Sequence, residues 1–200
     1  MKKKHSIYLI EHPSRIGMFR EQLKTQDQFN CILYTVPAII KPNPSEGIAI
    51  SHCSIVSTAK ASGADRVIIA EDDCQFFSPL AMKHFLDNEP DDYDIYLGGL
   101  YAGSEKITED NRQVKFFCGL HLYIVHERFY DRFLSTDWQL DSIDNALSRL
   151  ARKGEAKIVA CYPFAAVQRE LVSNNTGCVF KHRAFFNSKN TLGFPEKTNT

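Results

Sequence analysis

The sequence lacks features that are typical of several common protein classes, and each missing feature disfavours one class. No apolar run reaches the roughly 20 residues that span a bilayer, so a membrane-spanning helix is not expected. The 6 cysteines include no Cys-x-x-Cys pair, which disfavours a zinc ribbon and favours reduced, buried thiols. Lys and Arg total 24, as do Asp and Glu, so the basic excess of a nucleic-acid-binding protein is missing.

The N-terminal segment 1–5 is basic, and only a short apolar run separates it from Glu11. A secretory signal needs a longer apolar stretch, so none is expected and a cytoplasmic location is favoured. The three lysines at the start would permit weak peripheral contact with the anionic inner face of a membrane. Stable attachment usually requires a second signal, and a solvated terminus is the simpler interpretation.

Short apolar segments alternate with helical patterns, which predicts a single α/β domain with a mostly parallel sheet and helices on both faces. A chain of 200 residues suits one domain of this kind. The segment 37–45 holds three prolines and is expected to be an extended loop. Strands are expected at 6–10, 31–36, 66–70, 94–97, 114–117, 120–125 and 157–161, and helices at 14–24, 48–61, 79–86, 127–134 and 143–152.

The most informative motif is the apolar run 67–70, which ends abruptly at Glu71, Asp72 and Asp73. In open α/β sheets, ligands bind beyond the carboxyl ends of the strands. A hard divalent cation, Mg²⁺ or Mn²⁺, takes oxygen ligands and shares them with a substrate diphosphate. We therefore predict that Asp73 binds a metal ion, while Asp72 or Glu71 binds a ribose hydroxyl or reaches the ion through water. The alternative is that these acids cap a helix or lie in water.

Glycines and polar residues near other predicted helix and strand ends add to this site. Gly47 at a loop-to-helix junction would let a ligand approach the backbone. The N-terminus of that helix, which carries Ser51 and His52, would offer N–H groups to a diphosphate. Gly98 and Gly99 follow a strand end, where the bare backbone would pass under a sugar. The alternative for His52 is a structural role, which is commoner for a lone histidine.

Together these motifs resemble glycosyltransferase family 25, which includes lipo-oligosaccharide galactosyltransferases and the collagen galactosyltransferase domains. The family pattern Gly-Cys-x-x-Ser-His, a helix, then Ile-Leu-Glu-Asp-Asp is similar to segment 47–73. Segments 7–10, 94–98, 122–125 and 142–144 resemble further family motifs, so the likeness covers residues 5–177. Departures are Ile48 in place of a frequent cysteine, Ser142 in place of a proline, and Glu11-His12 in place of Asn-Leu-Asp.

The resemblance implies a GT-A fold, with a nucleotide-sugar-binding half at about 5–100, an acceptor-side half at about 101–180 and an irregular tail at 181–200. It also implies metal-dependent, inverting transfer of a hexose, most often galactose, from a UDP-sugar to a glycan or other hydroxyl acceptor, as in lipopolysaccharide biosynthesis. Inverting transfer needs a carboxylate to take the acceptor proton.

Residues after the acid cluster are assigned to the remaining roles. Asp144, with Asp141 beside it, is the candidate base, and a helix N-cap is the alternative for either. Chains of GT-A enzymes often return polar groups to the donor after the last strand, which implies Gln168 and Arg169 at the diphosphate and His182 at the metal. His182 lies between two cationic residues and would otherwise be solvated surface.

Two other functions are consistent with the same residues. One is a catalytically inactive GT-A-like module that binds nucleotides or carbohydrates. The other is a metal-dependent phosphohydrolase that uses the acid cluster, although it would need further ligands for a second ion. Donor hydrolysis, sugar transfer and phosphate release distinguish the three.

Overall fold

The computed structural model describes residues 5–27, 29–100, 102–103, 107–109, 111–138, 141–171 and 179. The described strands are β1 His5–Glu11, β2 Cys31–Pro37, β3 Arg66–Glu71, β4 Cys74–Phe76, β5 Ile95–Leu97, β6 Ala102–Gly103, β7 Phe117–Cys118, β8 Leu122–His126, β9 Ile158–Ala160 and β10 Ala166–Gln168. The α-helices are α1 Met18–Lys24, α2 Pro44–Ala61, α3 Ala81–Asp87, α4 Tyr130–Leu134 and α5 Ile143–Lys153, with 3₁₀ turns at Pro13–Arg15 and Glu127–Phe129.

Six strands form the central sheet in the order β2-β1-β3-β8-β5-β9. Only β8 runs against the others, because it pairs antiparallel with both β3 and β5 while the remaining pairs are parallel. The predicted mostly parallel α/β sheet is therefore confirmed. This topology brings the carboxyl ends of β1, β2, β3 and β5 to the same edge as the amino end of β8.

Apolar clusters cover both faces of the sheet. One face packs against Ile55 of α2, Phe133 of α4 and Leu147 of α5, and the other packs against Phe19 of α1 and Phe85 of α3. The prediction of helices on both faces is confirmed.

The apolar run of β3 is continuous because both of its faces are covered. Val67 and Ile69 belong to one cluster, and Ile68 and Ala70 belong to the other. A strand buried on both sides has no polar alternation, as the sequence indicated. Its fully buried run ends at Glu71, which is intermediate in exposure.

The prediction of one helix over 14–24 is wrong. The chain forms a 3₁₀ turn at Pro13–Arg15, and α1 begins only at Met18. Gly17 separates the two with a φ of 87°, a left-handed conformation that interrupts a right-handed helix. Ile16, an apolar residue between the turn and the helix, is 71% exposed.

Helix α2 begins earlier than predicted and takes in part of the proline-rich segment. The side chain of Asn43 accepts a hydrogen bond from the backbone N–H of Ser45 at 3.1 Å. Pro44 follows as the first helical residue, where its missing N–H costs nothing. Gly47 therefore lies within the first turns of α2 and not at a loop-to-helix junction, and its N–H donates to the carbonyl of Asn43.

A small antiparallel pairing was not predicted. β4 pairs with β10, placing Gln168 opposite Cys74 directly after the acid cluster. The predicted strand at 114–117 is reduced to β7, which pairs with β6. Across the described residues, no helix combines the length and apolar character that a membrane crossing requires.

Candidate functional site

A cavity of about 310 Å³ opens at the carboxyl ends of β1, β2 and β3. Part of the lining is apolar and consists mainly of isoleucines, and the rest includes the acid cluster and the cationic side chains Arg15 and Lys41. The lining residues are Ile10, His12, Arg15, Ala38, Ile39, Ile40, Lys41, Pro44, Ile48, Ser51, His52, Glu71, Asp72, Asp73 and Gln168.

Asp72 and Asp73 form the turn between β3 and β4, and their side chains are only 6% and 4% exposed. Both carboxylates contact one nitrogen of Arg15, with Nη1 at 3.2 Å from Oδ1 of Asp72 and 3.0 Å from Oδ2 of Asp73. The backbone N–H of His12 donates to Oδ2 of Asp72 at 2.6 Å. The two carboxylates are therefore oriented from the segment that follows β1.

Asp73 is the most perturbed acid of the cluster. Its Oδ2 also accepts a hydrogen bond from Nε2 of Gln168 at 3.0 Å. Its Oδ1 is buried and has no hydrogen-bond partner among the described residues. Burial, followed by the charges of Glu71 and Asp72, raises the pKa of Asp73 to about 7. Burial likewise raises the pKa of Asp72. The single positive charge of Arg15 therefore balances only part of the negative charge of the acid cluster.

Glu71 is held differently from the two aspartates. Nε2 of His52 lies 3.0 Å from Oε1 of Glu71, and Nδ1 of His52 lies 2.6 Å from the hydroxyl of Tyr123. Because the pKa of Glu71 is lowered and its ionised carboxylate can only accept, Nε2–H of His52 donates to Glu71, and Nδ1 pairs with the hydroxyl of Tyr123, whose own pKa burial raises well above its usual value. Burial opposes ionisation of Glu71, but the His52 hydrogen bond and nearby positive charges outweigh it and lower its pKa.

Gly47 and Ser51 fix the apolar wall of the cavity. A Cβ at Gly47 would lie 2.3 Å from the carbonyl oxygen of Ile39, so only glycine allows this close approach. Ser51 donates to the carbonyl of Gly47 at 2.8 Å and accepts from the N–H of Ile39 at 2.9 Å. Both residues therefore hold the segment 38–41 against α2, whatever else they contact.

Gly98 and Gly99 lie under β10 and not along the cavity lining. A Cβ at Gly98 would meet the side chain of Leu122 at 2.7 Å, and one at Gly99 would meet the carbonyl oxygen of Ala166 at 2.0 Å. The carbonyl of Gly98 accepts hydrogen bonds from both Ala165 and Ala166. The structure thus gives the two glycines a packing role.

Asp144 and Asp141 lie at the start of α5, outside the cavity lining. Asp144 accepts from the N–H of Gly119 at 3.2 Å and from the hydroxyl of Ser142 at 2.5 Å. Asp141 pairs with Arg149 and accepts from the N–H of Ser142. Asp144 therefore contacts the segment that leads into β8 at the same sheet edge as the acids, whereas Asp141, which precedes α5, is committed to Arg149 and Asn145 of that helix.

The C-terminal candidates divide into described and undescribed residues. Gln168 lines the cavity and contacts Asp73 directly. Arg169 donates its backbone N–H to the carbonyl of Asp73 at 2.8 Å, and its buried Nε has no hydrogen-bond partner among the described residues. His182 lies outside the described residues.

The acid pair suits a hard divalent ion in chemistry, charge and position. Oδ1 of Asp73 is an unused carboxylate oxygen, and the cluster carries more negative charge than Arg15 balances. Within the described part of the chain, no three His, Cys, Asp or Glu side chains converge as a metal cluster. Water and phosphate oxygens commonly complete the coordination of Mg²⁺ when one or two carboxylates bind it.

Sequence reasoning missed several residues of this site. Arg15 was placed in an uninterrupted helix, and nothing in its spacing linked it to acids 57 and 58 residues further on. Tyr123 was one apolar-strand residue among several. Lys41 was treated only as part of a loop, although it lines the cavity. An Arg in a Pro-Ser-Arg turn directly after the first strand was the one available signal.

Comparisons with known proteins identify the fold. No family model and no curated protein sequence matches the chain. The structure is similar to the mannosyltransferase PcManGT from Pyrobaculum calidifontis in complex with GDP-Man and Mn²⁺, with a TM-score of 0.54 and 8% identity. That match covers 87% of this chain and 59% of the other, so this chain spans somewhat over half of that protein. The likeness shows that the chain has a GT-A-type α/β fold.

Two weaker similarities were also found. A Drosophila galactosyltransferase 7 mutant in complex with manganese, UDP-Gal and xylobiose has a TM-score of 0.45 and 10% identity, covering 89% of this chain and 70% of the other. A glycosyltransferase involved in glycosylation of the major capsid of PBCV-1 has a TM-score of 0.48 and 7% identity, covering 78% and 81%.

Proposed function

We propose that this chain is a nucleotide-sugar-dependent glycosyltransferase that uses a divalent metal ion. The observation that carries the proposal is the buried Oδ1 of Asp73, which lacks a partner among the described residues and lies beside Asp72 in a cavity at the carboxyl edge of a GT-A-type sheet. The fold is shared with PcManGT, whose structure contains GDP-Man and Mn²⁺.

The cavity offers distinct surfaces for the parts of a nucleotide sugar. Ile39, Ile40 and Ile48 provide an apolar wall that suits a base and the carbon face of a ribose. Lys41 and Arg15 place positive charge in the same cavity, where a diphosphate would need it. A neutral apolar ligand would make no use of the charged side chains that line the cavity.

The acids would divide the metal and ribose contacts between them. Asp73, with Asp72, would hold Mn²⁺ or Mg²⁺, and the ion would neutralise charge that develops on the leaving nucleoside diphosphate. Gln168 keeps the carboxylate of Asp73 oriented through its hydrogen bond to Oδ2. Glu71, which His52 holds by a hydrogen bond, would accept a hydrogen bond from a ribose hydroxyl or from a metal-bound water.

The resemblance to glycosyltransferase family 25 supports the finer assignments. They are an inverting transfer, galactose from UDP-galactose as the donor, a glycan or other hydroxyl acceptor, and a role in lipopolysaccharide biosynthesis. Asp144 is the proposed base, since its Oδ2 contacts the Gly119 N–H at the same sheet edge. Asp141 is the weaker candidate because it pairs with Arg149.

Donor binding and donor turnover together test the proposal. UDP-galactose and other nucleotide sugars should raise the thermal midpoint in the presence of Mn²⁺. At roughly 100 times Kd, the free energy of unfolding should increase by about 2.7 kcal/mol. Asp73→Asn should lose this stabilisation and the hydrolysis of the donor. Asp131→Asn removes an exposed carboxylate that pairs with Lys60, so it should behave as the wild type.

The same experiment identifies the competing functions. Donor binding with neither hydrolysis nor transfer would indicate an inactive binding module. Release of free phosphate without sugar transfer would indicate a phosphohydrolase. If no nucleotide sugar stabilises the protein with either metal ion, the proposed function is wrong.

A further inference from the structure

Arg15 bridges the two aspartates that the proposed function assigns to a metal ion. A single nitrogen, Nη1, lies 3.2 Å from Oδ1 of Asp72 and 3.0 Å from Oδ2 of Asp73. The Arg15 side chain is 13% exposed, so water screens this contact poorly. We propose that Arg15 is an internal counter-ion that competes with the divalent ion and must release the aspartates before the ion is fully bound. This inference rests on the proposed function in placing an ion at Asp72 and Asp73.

The competition follows from the contacts of the two carboxylates. Oδ2 of Asp72 already accepts the His12 N–H, and Oδ2 of Asp73 already accepts from Gln168. Arg15 takes Oδ1 of Asp72 and shares Oδ2 of Asp73. An ion that bound both carboxylates would need oxygens that Arg15 holds, and two cations at this distance repel each other. Oδ1 of Asp73 is the oxygen on which an incoming ion meets no protein donor among the described residues.

The turn that carries Arg15 lies outside the packed core. The 3₁₀ turn Pro13–Arg15 has no buried residue, and the next residue, Ile16, is 71% exposed. Gly17 follows with a positive φ and nothing near its Cβ position. The turn therefore contributes little to the packed core. The Arg15 side chain would exchange the aspartates for another anionic partner without a change in that core.

The donor supplies that second partner. Arg15 lines the same cavity as Lys41, so a bound diphosphate would present negative charge within reach of a released guanidinium. Binding of the nucleotide would then favour release of Arg15, and release would favour binding of the ion. Thermodynamic reciprocity requires each ligand to raise the affinity of the other by the same factor.

Direct measurement of Mn²⁺ binding tests this inference without any assay of turnover. Free Mn²⁺ is measured by its electron paramagnetic resonance signal during titration of the wild type, Arg15→Gln and Arg20→Gln, with and without UDP. Arg15→Gln should bind Mn²⁺ about tenfold more tightly than the wild type when no nucleotide is present, a typical coupling between competing sites. UDP should tighten Mn²⁺ binding to the wild type more than to this variant.

Arg20→Gln is the matched control because Arg20 pairs with Glu11, another acid at the carboxyl end of β1. Arg20→Gln removes the same charge at a neighbouring position but leaves Asp72 and Asp73 paired with Arg15. Mn²⁺ affinity should therefore be unchanged. If Arg20→Gln tightens Mn²⁺ binding as much as Arg15→Gln does, a general charge effect replaces the proposed competition.

A second measurement uses the wild type alone, in case Arg15→Gln does not fold. Mg²⁺ is diamagnetic, so arginine side-chain resonances remain visible by NMR during a titration. Saturating Mg²⁺ should accelerate rotation of the Arg15 guanidinium and leave that of Arg20 unchanged. An Arg15 signal that stays restricted while Mg²⁺ binds would overturn the inference.

The outcomes separate this inference from the proposed function. Equal Mn²⁺ affinity of Arg15→Gln and wild type overturns the competition, while Mn²⁺-dependent stabilisation by UDP-galactose would still support the transferase. Tighter Mn²⁺ binding by Arg15→Gln, with no nucleotide sugar bound by either protein, supports the competition and overturns the transferase. Turnover of donor without metal that is lost in Arg15→Gln would show that Arg15 replaces the ion, which also overturns the competition.

Discussion

His52 and Glu71 are joined by a hydrogen bond of 3.0 Å between Nε2 and Oε1 at the wall of the cavity. The other ring nitrogen of His52 contacts the hydroxyl of Tyr123 at 2.6 Å, so the imidazole is fixed on both sides. His52 is 1% exposed, and Tyr123 is fully buried. Through His52, the buried Tyr123 of β8 therefore orients the carboxylate of Glu71, which lines the cavity.

Tyr123→Phe should destabilise the protein by about 1–3 kcal/mol, because it leaves the buried Nδ1 of His52 without its hydrogen-bond partner. Urea denaturation measures the change in the free energy of unfolding. Glu71 should also become less well oriented, so nucleotide affinity should fall together with stability.

Tyr34→Phe is the control, since Tyr34 is 45% exposed. Its effect should stay within about 0.5 kcal/mol of the wild type, as for most surface changes. An equally small effect of Tyr123→Phe would show that the contact with His52 contributes nothing to stability.

Gly47→Ala separates a packing role from a ligand-binding role. In an open helix, replacing glycine by alanine stabilises by roughly 1 kcal/mol. Here the added Cβ would lie 2.3 Å from the carbonyl oxygen of Ile39, so we expect a net loss of about 1–2 kcal/mol. Thermal or urea denaturation provides the measurement.

Ser57→Ala, at an exposed position of the same helix, should be neutral or slightly stabilising. If Gly47→Ala keeps full stability but loses nucleotide binding, the sequence-based interpretation is right and Gly47 serves the ligand. A loss of stability that accounts for the loss of binding supports the packing role.

Sequence patterns predicted the central sheet because β3 is buried on both faces. A strand covered on both sides has to be continuously apolar, and it can become acidic only where it leaves the core. The run 67–70 followed by Glu71 therefore located both a central strand and the edge of the sheet. The same argument placed Asp72 and Asp73 together, since they are adjacent in the chain.

Sequence patterns could not predict which distant segments contact each other. Arg15 and Asp73 are 58 residues apart, and only the parallel pairing of β1 with β3 brings them together. β4 and β10 have three residues each, too short for a periodic signal, yet their pairing places Gln168 beside Asp73. Gly47 and Gly99 suggested ligand approach because the opposing carbonyl groups were not visible in the sequence.

Asp73 should make the stability of the metal-free protein depend on pH. Its folded-state pKa is raised from 3.8 to about 7, so between these values the folded protein retains a proton that the unfolded chain has lost. The free energy of unfolding should therefore fall as the pH rises from about 4 to about 7, and the full cost is present above that range. Denaturation in the presence of a chelator, at several pH values, measures this slope.

Asp73→Asn cannot ionise, so its stability should decline less steeply with pH over that range. Asp131→Asn removes an exposed carboxylate and should keep the wild-type slope. The raised pKa of Asp72 acts in the same direction and remains in both variants. Identical slopes for Asp73→Asn and the wild type would show that Asp73 is ionised across the range.

Asp144→Asn tests the proposed base of the transfer reaction. The asparagine keeps an oxygen that can accept from the Gly119 N–H, so the fold and donor binding should be preserved. An amide cannot take the acceptor proton, so the transfer rate should fall by about 10²–10⁴-fold, the usual contribution of a general base. Hydrolysis of the donor is measured separately, because it reports whether the metal and nucleotide sites still work.

Asp141→Asn completes the comparison because it removes a neighbouring carboxylate that pairs with Arg149. It should reduce stability slightly and leave the transfer rate close to that of the wild type. A loss of transfer in Asp141→Asn but not in Asp144→Asn would exchange the two roles. Full transfer in both variants would place the base elsewhere, and Glu71, the remaining cavity carboxylate outside the aspartate pair, would then be the next residue to neutralise.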